Sequence, residues 1–162
     1  MTQELLKELF EYREDGHFYR KVAGKGTKVG KIAGGKNDKG YIILRIKDKQ
    51  YRLHRLIWLY HYGLFPTNQI DHINGIKNDN RIDNLREANN SQNNANKPKR
   101  LNCSSKFKGV SWAKREQKWR VRIRINWKEK YLGFYHEESA AAEAYNEAAI
   151  KHFGEFALIN KI

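Results

Sequence analysis

Asp71 and His72 stand side by side at the end of a short apolar run, in QIDHINGIKNDNRIDNLREANNSQN, and Asn84 and Asn93 follow at fixed distances. Hydrolysis of a phosphodiester with one metal ion needs groups of these types. It needs a hard oxygen ligand for a divalent cation, a neutral imidazole to take a proton from water, and a partner that fixes the imidazole's tautomer. Adjacent residues on a strand leave on opposite faces, so a turn or bulge must bring Asp71 and His72 to one scissile phosphate. Asp and Asn are also ordinary turn residues, which accounts for each residue singly but not for the whole spacing.

The two stretches HRLIWLYHYG and IDHINGIKNDNRIDNLREANNSQNNANK together resemble the HNH homing endonucleases of phage introns and free-standing mobile genes. The resemblance implies a ββα-metal core in which Asp71 and Asn93 bind the cation, His72 is the general base and Asn84 orients His72. This family usually reads His-Asn-Asn where others read His-Asn-His, and Asn93 in the final position fits it. His54 opens the family's HRL segment, and its expected part is structural, capping a helix or standing behind the site.

The chain has 162 residues, a formal net charge of +14, 31% charged residues and 12% aromatics. That length suits one domain or two small ones, and the charge calls for a polyanionic partner. Double-stranded DNA fits better than a membrane, because no apolar stretch approaches the length of a spanning helix and no basic amphipathic helix stands out. The opening MTQELLKELF has neither a basic n-region nor a small-residue cleavage site, so an intracellular protein is expected. The single cysteine, Cys103, excludes an internal disulfide and a CxxC zinc knuckle, and no disulfide-linked partner is expected. Oxygen and amide ligands then favour Mg²⁺ or Mn²⁺ over zinc. Oligomeric state is not fixed by the sequence, with the monomer favoured.

Several elements must position these residues. ELLKELFEY reads as a short helix or an extended lead-in, followed by a D-G turn in EDGHFYRK. VAGKGTKVGKIAGGKNDKG reads as a mobile basic loop, in which Lys25, Lys28, Lys31 and Lys36 could track a phosphate backbone. YIILRI alternates as a strand with a hairpin turn at Asp48-Lys49, and Leu53 to Tyr62 suits a helix closed by Gly63 and Pro66. Ser91 to Ala95 would be helical and would point Asn93 back at Asp71. The Pro-, Ser- and Lys-rich stretch after it reads as a linker, which Lys97, Lys99 and Arg100 would lay along DNA.

KWRVRIRI has the plainest pattern, with Trp119, Val121, Ile123 and Ile125 alternating against Lys118, Arg120, Arg122 and Arg124. Three arginines in register repel one another unless a polyanion lies across them. A turn over Asn126 to Lys128, a returning strand YLGFY and an Ala-rich helix from Glu138 to Phe153 stopped by Gly154 complete a sheet-plus-helix unit. From FKGVSW through YLGFYHEESAAAEAYNEAAIKHFGEFALIN this unit resembles the AP2 DNA-binding domain, in which a three-stranded sheet lies in the major groove. Carried over by position, the DNA-binding candidates are Lys108, Trp112, Lys114, Arg115, Arg120, Arg122, Arg124, Trp127 and Lys130. Plant members of that family read RGVR where this chain reads KGVS, so their base preference does not transfer.

The expected fold is therefore α+β. A small N-terminal antiparallel segment spans 1–49, a ββα-metal nuclease core 50–97 and a basic linker 98–106. A three-stranded antiparallel sheet packed on one helix, AP2-like, spans 107–162. The expected function is site-specific, metal-dependent cleavage of DNA. The alternative is a DNA-binding regulator or integrase-like arm-binding protein with a silent nuclease region.

Overall fold

A computed structural model describes residues 1–24, 26–99 and 102–162, and Lys25 and Arg100 of the expectations above lie outside them. The fold is α+β and divides into two compact units, Met1–Ala88 and Asn89–Ile162.

In the first unit, Thr2 caps helix α1 (Gln3–Leu9) by accepting from the Leu5 amide at 3.3 Å. The helix stops at Leu9 although Phe10 continues its apolar spacing, because strand β1 (Phe10–Arg13) pairs with β2 (His17–Arg20). That places Phe10 over Phe18, ring centroids 5.4 Å apart. β3 (Gly35–Lys36), β4 (Ile42–Ile46) and β5 (Lys49–Arg52) form an antiparallel sheet. Its tight turn is Lys47-Asp48, both at positive φ, one residue earlier than the sequence suggests. Helix α2 (Leu53–Tyr62) ends at Gly63. Leu6, Phe18, Leu44, Leu53, Leu56 and Ile57 are each 0–1% exposed and form the core. Each such side chain contributes roughly 1.5–3 kcal/mol. Strands β6 (Gln69–His72) and β7 (Leu85–Ala88) pair on this core through Ile70 and Leu85.

The Gly- and Lys-rich loop differs from its expectation as a mobile arm. Arg20 and Lys31 bond through their backbones, as do Gly30 with Arg20 and Ala33 with Phe18, and Ala33 is fully buried. Lys28, Lys31 and Lys36 remain exposed on this pinned backbone.

The second unit begins with α3 (Asn90–Ala95), whose cap is a reciprocal pair: Asn89 accepts from the Gln92 amide and Gln92 from the Asn89 amide, both at 2.9 Å. β8 (Val110–Ala113), β9 (Lys118–Ile125) and β10 (Lys128–Tyr135) form one antiparallel sheet with β9 central. Helix α4 (Glu138–Phe153) covers one face, where Val121 and Ile123 meet Ala141, Ala142, Tyr145 and Ala149. Alanine lets the helix lie close, and Gly109 is needed for the same reason: at φ +79° a Cβ there would stand 2.0 Å from the Tyr145 ring.

Candidate active site

β6 delivers Asp71 and His72 in a regular ladder, Asp71 opposite Arg86 and His72 opposite Leu85. No bulge is used; the chain turns directly after the strand, with the His72 carbonyl accepting from the Gly75 amide at 2.8 Å. Both residues are 5% exposed, and Asp71 is the only buried acid among the described residues. The Arg86 guanidinium holds it, Nε and one Nη both donating to Oδ2 at 3.0 Å.

His72 Nε2 donates to Oδ1 of Asn80 at 3.0 Å. Asn80 is completely buried. Its amide orientation follows from its other end, where Nδ2 faces the Asn78 carbonyl at 3.4 Å. An oxygen acceptor at Nε2 requires the proton to sit there in the neutral imidazole, which makes Nδ1 the basic nitrogen. Burial pushes the His72 pKa below its ordinary value despite the Asn80 bond and the Asp71 charge, so the neutral base is favoured.

Asn84, expected to orient His72, clamps the intervening turn. Its Oδ1 accepts from the Asn74 amide at 3.0 Å, and its Nδ2 donates to Asn74 Oδ1 at 3.0 Å and to the Asp79 carbonyl at 2.8 Å. Asp79 in turn takes two bonds from Arg81, at 2.8 and 2.7 Å, which pull its carboxyl down to about 2. Asn84 thus fixes the turn that carries Asn80. The sequence offered no signal for Asn80, one of many asparagines in the segment. Arg86 has one: on paired antiparallel strands it is the residue opposite Asp71.

His54, in the first turn of α2, meets the His72 ring edge to face, and Tyr41 flanks both rings at 5.5 and 6.2 Å. Burial, then the neighbouring charges of His72, Arg52 and Arg55, push its pKa down to about 3. It is a neutral aromatic wall. Asn93 lies on α3 of the second unit, half-buried.

The DNA-binding candidates divide by the register of the second unit's sheet, since residues directly opposite across strands share a face. Arg120, Arg122 and Arg124 lie on the face away from α4, with Phe134 opposite Arg120, Tyr131 opposite Arg122 and Glu129 opposite Arg124. Tyr131 and Phe134 are exposed, and Arg122 is paired with Glu129 at 2.6 Å. Ser111 Oγ and Arg120 Nε, cross-strand neighbours on this face, are buried with no hydrogen-bond partner among the described residues. Trp112 pairs with Trp119, and Lys130 with Ile123, so both lie on the α4 side. Lys114 and Arg115 occupy the β8–β9 turn, and Trp127 is exposed at the β9–β10 turn. The Lys108 ammonium donates to the Ala95 and Lys97 carbonyls at the end of α3, and burial lowers its pKa to about 8.

Residues 51–95 match the model of a family described as HNH endonuclease, which supports a nuclease acting on DNA. Neither curated proteins nor solved structures gave a match.

Proposed function

We propose that the chain is a metal-dependent DNA endonuclease of the homing type, with His72 as general base and the β9 face as the DNA reader. The observation that carries the reading is the buried pair Asp71 and His72 on one strand end, inside the matched segment, with His72 locked by Asn80.

The donor set fits a hydrated hard cation. Among the described residues no group of three or more His, Cys, Asp or Glu is assembled, as zinc would want. Magnesium keeps several waters and is commonly held by one or two carboxylates together with the substrate's phosphates. Asp71 would be the carboxylate, and Asn93 joins it in this proposal on its sequence position alone. Such an ion supplies charge stabilisation for the departing 3′ oxygen.

The chain's own residues do the rest. His72 accepts the proton of the attacking water at Nδ1 while Asn80 keeps Nε2–H in place. His54 and Tyr41 wall the imidazole, and Arg86 fixes the Asp71 carboxylate. In the second unit, Arg120, Arg122 and Arg124 neutralise phosphates or address base edges, with Tyr131 and Phe134 beside them as apolar contacts. The unit would then act as the AP2-like reader that the sequence resemblance implies.

The test is nicking of supercoiled DNA. Activity should require Mg²⁺ or Mn²⁺ and disappear in Asp71→Asn and His72→Ala, while DNA affinity stays within about threefold because binding rests on other residues. Cleavage that persists in EDTA, or in either variant, overturns the reading.

A further inference from the structure

The β1–β2 hairpin lies outside the matched segment, yet it touches the residues that hold His72. Its turn is closed by the Gly16 amide donating to the Arg13 carbonyl at 3.0 Å, and Gly16 has φ +80°. A Cβ on Gly16 would stand 2.5 Å from the Arg81 nitrogen and 2.7 Å from the Asn80 carbonyl carbon. Both are backbone atoms, so no side chain can swing aside, and the turn is seated directly on the peptide that follows Asn80. A second tether comes from the same hairpin. The Tyr12 hydroxyl accepts from the Ile82 amide at 3.0 Å, and the Tyr12 ring is wedged edge-on against Phe18 and His61.

Asn80 therefore sits between two supports. On one side Asn84 and Asp79 fix the turn before it; on the other, Gly16 and Tyr12 fix the backbone on and after it. Within this enclosure its Oδ1 accepts from His72 Nε2 while its Nδ2 faces the Asn78 carbonyl. A shift of a few tenths of an ångström in the Asn80 backbone lengthens that bond and weakens its preference for the proton on Nε2.

We propose that Gly16 and Tyr12 are positioning residues for His72, acting through Asn80 to hold the tautomer in which Nδ1 is basic. This assigns the hairpin a part in the nuclease unit. The consequence for cleavage rests on His72 being the general base; the tautomer itself does not.

The experiment uses the full chain with imidazole-¹⁵N histidine, and long-range ¹H–¹⁵N spectra at about pH 8, where an ordinary histidine is neutral. His72 signals are assigned by their loss in His72→Gln. The parent should show the proton on Nε2, and Asn80→Asp, which keeps an acceptor oxygen, should preserve it. Asn80→Ala, Gly16→Ala and Tyr12→Phe should each shift the signals toward a mixture of tautomers. Nicking by the two hairpin variants should fall by about tenfold or more with DNA affinity unchanged. If Gly16→Ala does not fold, Tyr12→Phe decides, since it removes one oxygen without a clash. A parent with the proton on Nδ1, or a folded Tyr12→Phe with parental tautomer and rate, overturns the proposal. Should the tautomers respond as expected while His72→Gln still nicks DNA, the hairpin assignment stands and His72 as general base falls.

Discussion

His54 and His72 meet edge to face, with ring centroids 5.1 Å apart and ring planes at 87°. The contact demands an uncharged ring at His54, because a cation there would be buried, at 3% exposure, beside His72, Arg52 and Arg55. Shape is then what His54 supplies. His54→Phe should retain nicking within a few fold, whereas His54→Ala should lower stability by about 2–5 kcal/mol through the cavity it opens beside His72. Urea unfolding and the nicking assay together check this. A Phe variant that folds and is inactive would show that a ring nitrogen of His54 is needed.

Stability should fall in mild acid for the same reason. The folded-state pKa of His54 is about 3, against 6.5 for an unburied histidine. Between those values the unfolded chain binds a proton that the folded chain refuses, so this contribution is complete above 6.5 and is lost as pH falls toward 3. The slope from His54 alone is about 1.4 kcal/mol per pH unit, and His72, also lowered by burial, acts in the same direction. His54→Phe should flatten the parent's decline between about pH 6 and pH 4 by roughly that slope. Parallel declines in parent and variant would mean that His54 does not resist protonation.

Asp71 and Arg86 form a buried pair, with side chains 6% and 12% exposed. Removing one partner of such a pair costs far more than the pair contributes, because the other is left charged in a medium that solvates it poorly. Arg86→Ala should therefore destabilise the chain by about 3–5 kcal/mol in urea unfolding. Arg86→Lys should fall between, since a single ammonium cannot place two donors on Oδ2 as the guanidinium does. A loss below about 1 kcal/mol in Arg86→Ala would place the pair with exposed ion pairs.

How far the sequence showed this arrangement depended on how local each feature is. The alternation in KWRVRIRI and the alanines of 138–153 gave β9 and α4 directly, because one face of each is buried along its whole length. Asp71 and His72 stood out by type and setting. The end of α1 was not legible: LLKELF is helical in pattern throughout, and Phe10 turns extended only because β2 pairs with it. Asn80 is another case, since only the three-dimensional path of the turn sets it apart from its neighbouring asparagines. Lys108 is a DNA-binding candidate by resemblance, and its burial against the end of α3, which comes from packing, has no signal in the sequence. The lysine-rich loop is pinned by backbone bonds to β2, which composition does not reveal.

That division among the basic residues sets the last prediction. If Arg120, Arg122 and Arg124 each neutralise one phosphate, changing all three to alanine should lower the slope of log affinity against log salt by about 2.7, with the apolar face of β9 and hence the fold intact. Any of the three that reads a base edge should also cost about 1–3 kcal/mol of discrimination, visible as altered site preference. Lys108→Ala should behave in the opposite way. Its ammonium already satisfies the Ala95 and Lys97 carbonyls, so its loss should lower the stability of the second unit and leave the salt slope nearly unchanged. Fluorescence anisotropy on duplex DNA from about 50 to 200 mM salt, with thermal melts of each variant, separates the two classes. A Lys108 variant of parental stability with a reduced slope would put that lysine on DNA, and a triple variant with the parental slope would move the reader away from the β9 face.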